Sequence, residues 1–226
     1  MKIIARILVY IFGQTPVRVF FFRLSSRIYN IGEIASCISF TDSYNHQLQQ
    51  AEAWLNQKQG VIWPWNTERD KRTPKASLPG ADLIGFIEVE NETRLVLGEI
   101  KASSDVSTPP NVMNGRGGMV HQLETLATDL KILSQLLRYL QPRCKNSPHE
   151  DQFNAAVTLL FKSGNKAIAL FGVLIRDTAP AENDLKSRAQ HLAKQINSPS
   201  TCHLQALYLP HAISDLPHLV SCGAQS

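Results

Sequence analysis

The chain has 226 residues, of which 43% are hydrophobic and 19% are charged, with 12 glycines and 12 prolines. This composition excludes collagen-like, low-complexity and disordered chains, and the length suits a single globular domain. The formal net charge is +4, and residues 1–40 carry all of the excess, because residues 41–226 hold equal numbers of acids and bases. A surface that binds a polyanion in residues 41–226 is therefore expected to be a local patch.

Residues 1–40 contain two short apolar runs, at 7–12 and 19–22, which flank the turn-like residues 13–16. Neither run approaches the roughly 18 residues of a membrane-spanning helix, so stable membrane insertion is not expected. The pattern favours two strands joined by a turn. A signal or membrane-surface segment and a wrongly chosen start codon are the alternatives.

Four cysteines lie far apart along the chain and form no Cys-x-x-Cys pair: Cys37, Cys144, Cys202 and Cys222. A zinc site normally has paired ligands at short spacing. The spacing therefore favours free thiols in a reducing compartment, and a cytoplasmic location is expected.

The first half of the chain predicts one helix followed by a pair of strands. Thr41 or Asp42 can begin a helix that runs to about Lys58. The polar residues 66–79 read as a loop, and strand-like segments follow at 82–90 and 94–101.

The second half begins with a glycine-rich loop at 108–118. A leucine stripe then predicts one long helix, ended by Pro142. Segments 153–161 and 166–176 predict a hairpin, and a helix beginning at Asp177 or Thr178 precedes a last strand at 203–209. The pattern predicts a mixed α/β domain.

The chemistry-bearing residues stand at the ends of the two predicted strands, at Asp82 and at Glu99-Ile100-Lys101. Strand alternation puts Glu99 and Lys101 on one face and Ile100 on the other. A hairpin centred on Asn91 and Glu92 would place Asp82 across from Lys101, and Glu99 across from Ile84. Asp82 and Glu99 would then be diagonal neighbours that can converge on one ion.

Two carboxylates and a lysine at one corner of a sheet suit a hard divalent cation and a phosphate substrate. A metal held by Asp82, Glu99 and the Ile100 carbonyl could activate a water for attack on a phosphodiester. Lys101 could position or deprotonate that water, or neutralise the developing charge. A surface ion-pair cluster is the alternative.

The tripeptide Asp/Glu-x-Lys occurs three times, at Glu99, Asp129 and Asp184. The second and third lie on predicted helices, where residues i and i+2 diverge around the axis. Only the tripeptide at Glu99 lies on a predicted strand, and the strand before it begins with the acidic residue Asp82. This context distinguishes it from the other two tripeptides.

In this αββαβ setting, Asp82 and Glu99-Ile100-Lys101 resemble the PD-(D/E)XK nuclease superfamily over about residues 42–162. The resemblance implies a restriction-endonuclease-like αβββαβ core within a single domain, residues 1–226. Residues 1–40 would then be an N-terminal segment of strands, and 163–226 a C-terminal elaboration of hairpin, helix and strand. In this family the two acids bind the metal and the lysine assists attack by water. The motif proline stands at Pro79 in this chain, three residues before Asp82.

The resemblance implies two further site residues. The family often adds a glutamate from the preceding helix as a metal ligand, for which Glu52 is the candidate. A glutamine on the following helix recurs in some branches, for which Gln122 is the candidate, with capping of the helix as its alternative role. The layout is also similar to nuclease components of bacterial anti-phage defence systems of the Hachiman type.

Basic and aromatic residues near the motif are candidates for contact with nucleic acid. The candidates for backbone contact are Arg69, Lys71, Arg72 and Lys75 in the loop before Asp82, and Arg116 in the glycine-rich loop. A solvated loop is the alternative for these residues. Trp63 and Trp65 could stack on bases, although packing in the core is the simpler expectation.

The sequence therefore predicts an endo- or exonuclease that depends on Mg²⁺ or Mn²⁺ and acts on DNA, in anti-phage defence or restriction. The alternative is a catalytically silent, nuclease-like subunit that binds nucleic acid or a partner protein. Because residues 41–226 carry no net charge, the chain suits a subunit that relies on a partner, such as a helicase or another defence subunit. Self-association as a homo-oligomer is left open.

Overall fold

A computed structural model describes residues 6–12, 18–22, 44–57, 59–67, 70, 80–209 and 212–215, which form seven β-strands and five α-helices. The strands are β1 (Arg6–Phe12), β2 (Arg18–Phe22), β3 (Ile62–Asn66), β4 (Leu83–Val89), β5 (Glu92–Ser103), β6 (Ile168–Arg176) and β7 (Thr201–Tyr208). The helices are α1 (Tyr44–Gln57), α2 (Met119–Thr128), α3 (Leu130–Cys144), α4 (Glu150–Lys162) and α5 (Lys186–Gln195). The predicted mixed α/β class is confirmed.

All seven strands join one sheet in the order β2-β1-β7-β6-β5-β4-β3. The central five strands are mixed, because β3, β4 and β5 are antiparallel whereas β5, β6 and β7 run parallel. Parallel neighbours need a crossover, which α2–α4 supply between β5 and β6, and α5 supplies between β6 and β7. The two predicted front strands pair with each other, and β1 extends the sheet beside β7.

Helices cover both faces of the sheet. On one face, Leu48 and Leu55 of α1 pack in a cluster with Ile100 of β5 and Val173 of β6. On the other face, helices α2–α5 pack over a larger core that includes Leu97. Since neighbouring residues of a strand point to opposite faces, Gly98 and Ile100 face α1, whereas Glu99 and Lys101 face the α2 layer.

The register of the β4–β5 hairpin differs from the predicted one by two residues. Ile84 pairs with Leu97, not with Glu99, and Asp82 consequently lies beside Gly98 and Glu99 instead of across from Lys101. The difference lies in the turn, which is made by Glu90 and Asn91 with φ of 53° and 64°. Two residues with positive φ form the tight turn whose twist suits a hairpin. A shift of two residues keeps every side chain on its predicted face.

The predicted strand at 153–161 is wrong, because these residues belong to α4. The helix buries Phe153, Ala156 and Leu160, which recur at helical spacing, and Glu150 and Asp151 stand in its first turn. The predicted hairpin therefore does not form. Strand β6 instead runs parallel to β5 at the centre of the sheet, although its residues fall in the segment predicted as an elaboration.

Two of the predicted helices also differ from the observed ones. The leucine stripe is divided at Asp129, whose side chain accepts hydrogen bonds from the backbone N–H groups of Lys131 and Ile132 and so begins α3. Pro142 lies within α3. Asp177 does not cap a helix, since its carboxylate accepts hydrogen bonds from Ser104 and from the Ile213 N–H group. Helix α5 begins only at Lys186.

Cys144 and Cys202 are buried free thiols, whereas Cys37 and Cys222 lie outside the described residues. The loop predicted at 66–79 also lies mostly outside them. No helix in the described part of the chain is long and apolar enough to cross a membrane.

Candidate active site

Asp82 is held at the point where β4 begins beside β5. Its backbone N–H donates to the Gly98 carbonyl at 3.0 Å, and its Oδ2 accepts a hydrogen bond from the Ile100 N–H at 2.8 Å. The N–H and C=O groups of one strand residue point toward the same neighbouring strand. The Ile100 carbonyl is therefore directed to the edge of β5 on which Asp82 lies, as its predicted role as a metal ligand requires.

Glu99 and Lys101 form an ion pair on the α2 face of β5, with the Lys101 Nζ 2.6 Å from the Glu99 Oε1. The Glu99 side chain is 3% exposed and that of Lys101 is 22% exposed. The Glu99 carboxyl group is thus enclosed, whereas part of the Lys101 side chain is exposed. The burial of Glu99 differs from what a surface ion pair, the alternative interpretation, predicts.

Glu52 approaches the same strand end from α1. Its side chain is fully buried, and neither carboxylate oxygen has a hydrogen-bond partner. Burial, followed by repulsion from Asp82 and then from Glu99, holds the pKa of Glu52 well above its ordinary value. The helix predicted to precede the strands therefore does bring a glutamate to Asp82 and Glu99.

The pKa of Glu99 is also raised, to about 8. Burial is the largest cause and repulsion from Asp82 the next, while the charge and hydrogen bond of Lys101 act in the opposite direction. Burial and the neighbouring Asp82 thus disfavour the ionised forms of Glu52 and Glu99, an effect that a bound cation would reverse.

The donor set at this position fits a hard divalent cation. Mg²⁺ and Mn²⁺ prefer carboxylate and carbonyl oxygens, and the strand ends supply Asp82, Glu99 and the Ile100 carbonyl. The unpartnered Glu52 carboxylate is the observation that supports the fit, because such a buried group is costly unless a partner compensates it.

Within the described residues, however, no group of three or more His, Cys, Asp or Glu side chains is placed so that it could hold a metal ion. The oxygens of Glu99 and Asp82 are instead turned to the Lys101 ammonium group and to the Ile100 N–H group.

The other predicted site residues are placed differently. Gln122 lies half-buried in the first turn of α2, and its Oε1 is enclosed without a hydrogen-bond partner. Arg116 is exposed on the glycine-rich loop that leads into α2. The four basic residues of the preceding loop, Arg69, Lys71, Arg72 and Lys75, lie outside the described residues.

Trp63 and Trp65 take the predicted packing role. Trp65 is buried and meets Phe86 edge to face, and Trp63 is half-buried and meets Phe171 in the same way. The indole N–H of Trp63 is enclosed without a partner.

Sequence reasoning missed the polar stripe of α1 to which Glu52 belongs. Gln49, Glu52 and Asn56 are all buried, and the Asn56 Oδ1 accepts a hydrogen bond of 2.5 Å from Gln205 in β7. Their spacing of three and four residues could have been found, because it places polar side chains in line between the core residues Leu48 and Leu55.

Comparison of the chain with protein-family models, with curated proteins and with solved structures finds no match in any of the three.

Proposed function

We propose that this protein is a divalent-metal-dependent nuclease that hydrolyses phosphodiester bonds in DNA. The observation that carries the proposal is the buried and unpartnered carboxylate of Glu52, which is repelled by Asp82 and Glu99. A buried cluster of like charges is expensive for a fold to keep, so it points to a function that needs the cluster.

The carboxylates of Glu52, Asp82 and Glu99 and the Ile100 carbonyl would hold Mg²⁺ or Mn²⁺. When bound, the metal supplies polarisation of the scissile phosphate and a lowered pKa for a bound water. The chain contributes the position of these oxygens. Asp82 is tied to β5 by two hydrogen bonds, and the Glu99 side chain is enclosed.

Lys101 is the residue that would act on the reacting groups from the solvent side. Its ammonium group lies 2.6 Å from the enclosed Glu99, and its side chain is partly exposed. From there it can donate a hydrogen bond to the attacking water or to a phosphate oxygen on which negative charge develops.

The order of elements also supports the proposal. The chain runs α1, β3, β4, β5, α2 and later β6, with three antiparallel strands followed by a parallel one. This matches the αβββαβ order that the resemblance to PD-(D/E)XK nucleases implies, with α3 and α4 inserted before β6. A role in anti-phage defence or restriction follows from that resemblance alone.

A cleavage assay tests the proposal directly. Purified protein is incubated with linear and circular DNA and with RNA, in Mg²⁺, Mn²⁺ or a chelator. We expect metal-dependent cleavage of DNA that falls by about 100-fold or more in Asp82→Ala and Lys101→Ala. Lys131→Ala is the matched control, since Lys131 has the same spacing from an aspartate but is exposed on α3.

Circular dichroism shows whether each variant keeps its fold. Full activity of folded Asp82→Ala and Lys101→Ala would contradict the proposal. Binding of nucleic acid by the wild type without any metal-dependent cleavage would favour the alternative, a catalytically silent subunit.

A further inference from the structure

The residue before Glu99 is a glycine, and the space that a side chain would need there is already filled. A Cβ atom added to Gly98 would lie 2.6 Å from the Glu52 Oε1 and 3.3 Å from its Cδ. It would also lie 3.1 Å from the Cη2 of Trp63. A real Cβ does not approach other atoms as closely as 2.6 Å, so one of these neighbours would have to move.

The crowding matters because Glu52 and Glu99 belong to opposite faces of β5. Gly98 faces α1, as its neighbour Ile100 does in packing with Leu55, while Glu99 faces the α2 layer. The Glu52 side chain of α1 must therefore extend past β5 to approach Glu99 and Asp82. It occupies the space that a side chain at position 98 would fill.

Of the two crowded neighbours, the Glu52 carboxylate is the less firmly held, although it is fully buried. The Trp63 ring meets Phe171 edge to face at 6.1 Å between centroids, and Phe171 stacks on His203 at 4.6 Å. In contrast, the Glu52 carboxylate has no hydrogen bond to hold it. A methyl group at position 98 is therefore expected to displace the carboxylate and to leave the aromatic stack in place.

We propose that Gly98 is a positioning residue, which admits the Glu52 carboxylate of α1 to the metal site on the far side of β5. The claim that Gly98 affects metal binding rests on the proposed function. The claim that Gly98 leaves space for Glu52 rests only on the packing of α1 against β5. The two claims can therefore be tested separately.

A double-mutant cycle tests the steric part in a chelator, where metal has no influence. Gly98→Ala is expected to lower the thermal unfolding midpoint of the otherwise wild-type protein by several degrees. The same substitution in the Glu52→Ala background is expected to cause a smaller loss, because only the 3.1 Å approach to Trp63 then remains.

Gly172→Ala is the matched control for this cycle. A Cβ at Gly172 would meet Leu204, Met119 and Leu123 at 2.6–3.0 Å, so the position is equally crowded but only by apolar side chains. Glu52→Ala is expected to give no relief there. Equal losses from Gly98→Ala with and without Glu52 would overturn the proposal.

The functional part is tested by titrating the full-length protein with Mn²⁺ and following both the unfolding midpoint and DNA cleavage. Gly98→Ala is expected to raise the half-saturating Mn²⁺ concentration at least about tenfold in both measurements. Combining Gly98→Ala with Glu52→Asp, which shortens the side chain, is expected to recover part of that loss.

The possible failures are distinguishable. A wild type that responds to Mn²⁺ and a folded Gly98→Ala variant with the same half-saturating concentration would overturn the role of Gly98 and leave the proposed nuclease function standing. A wild type that shows neither stabilisation nor cleavage with Mn²⁺ would overturn both. If Gly98→Ala alone does not fold, the double variant with Glu52→Asp decides, since recovery of folding supports the proposal and its absence contradicts it.

Discussion

Two buried charged clusters lie at the strand ends of this sheet, and they are built in opposite ways. At the end of β6, Arg176 is fully buried with its Nη1 3.1 Å from the Asp184 Oδ1. The Tyr208 hydroxyl donates to the other oxygen of Asp184, and Arg176 also donates to the Asp105 and Ser107 carbonyls. This Arg176 cluster joins opposite charges and binds the segment after β5 to the segment before α5.

The cluster of Glu52, Asp82 and Glu99 instead gathers three carboxyl groups around the end of β5, with Lys101 paired to Glu99. Burial is the largest cause of the raised pKa of Glu52, Glu99 and Asp184. Repulsion from Asp82 adds to it at Glu52 and Glu99, whereas the hydrogen bond from Tyr208 and then the charge of Arg176 act against it at Asp184. Complementary charges in a buried cluster indicate a structural role. Like charges indicate a site that a ligand completes.

The largest expected effect comes from breaking the Arg176 cluster. Asp184→Asn leaves Arg176 buried without its counter-charge and should lower the free energy of unfolding by about 3–5 kcal/mol. Glu182→Gln, which breaks the exposed ion pair of Glu182 with Lys186, should cost less than about 1 kcal/mol. Chemical denaturation measures both, and equal losses would show that the buried cluster has no special structural role.

Removing a charge from the carboxylate cluster should have the opposite sign. Glu52→Gln relieves repulsion and should raise the free energy of unfolding of the metal-free protein by about 1 kcal/mol at mildly alkaline pH. Saturating Mn²⁺ at about 100 times its dissociation constant should stabilise the wild type by about 2.7 kcal/mol and the variant by less. Denaturation with and without Mn²⁺ measures both terms. A metal-free Glu52→Gln variant that is less stable than the wild type would contradict the claim that repulsion in this cluster lowers stability.

The last test is the pH dependence of stability in a chelator. Folding raises the pKa of Glu99 from 4.5 to about 8, so between these values the folded state holds a proton that the unfolded state releases. The contribution of Glu99 to the free energy of unfolding is fully present below its pKa in the unfolded state. It falls as the pH rises toward about 8, by at most about 1.4 kcal/mol per pH unit, and is lost above that pH. Glu99→Gln should flatten this fall, and an unchanged slope would contradict the burial of the carboxyl group.

Much of the fold was predictable where the local pattern was clear. The predictions for α1, β4, β5 and β7 are close to the observed elements, because α1 carries apolar residues at helical spacing and the strands are short apolar runs. The segment at 153–161 was mistaken for a strand because its apolar residues also permit alternation. Only the acidic first turn of α4 distinguishes the two.

The site was partly predictable for the same reason. Strand alternation is local, so it assigned Glu99 and Lys101 to one face even though the hairpin register was wrong by two residues. The exact turn depends on the backbone conformations of Glu90 and Asn91, which the sequence does not signal. The role of Gly98 could not be predicted, because it depends on a helix packed from the other side of the sheet.

A crystal structure with Mn²⁺, located by its anomalous scattering, tests the central claim most directly. We predict one ion held by carboxylate oxygens of Glu52, Asp82 and Glu99 at about 2.0–2.6 Å, with Lys101 released from its ion pair with Glu99. An ion bound only elsewhere, or no ion at a Mn²⁺ concentration that supports cleavage, would contradict the account.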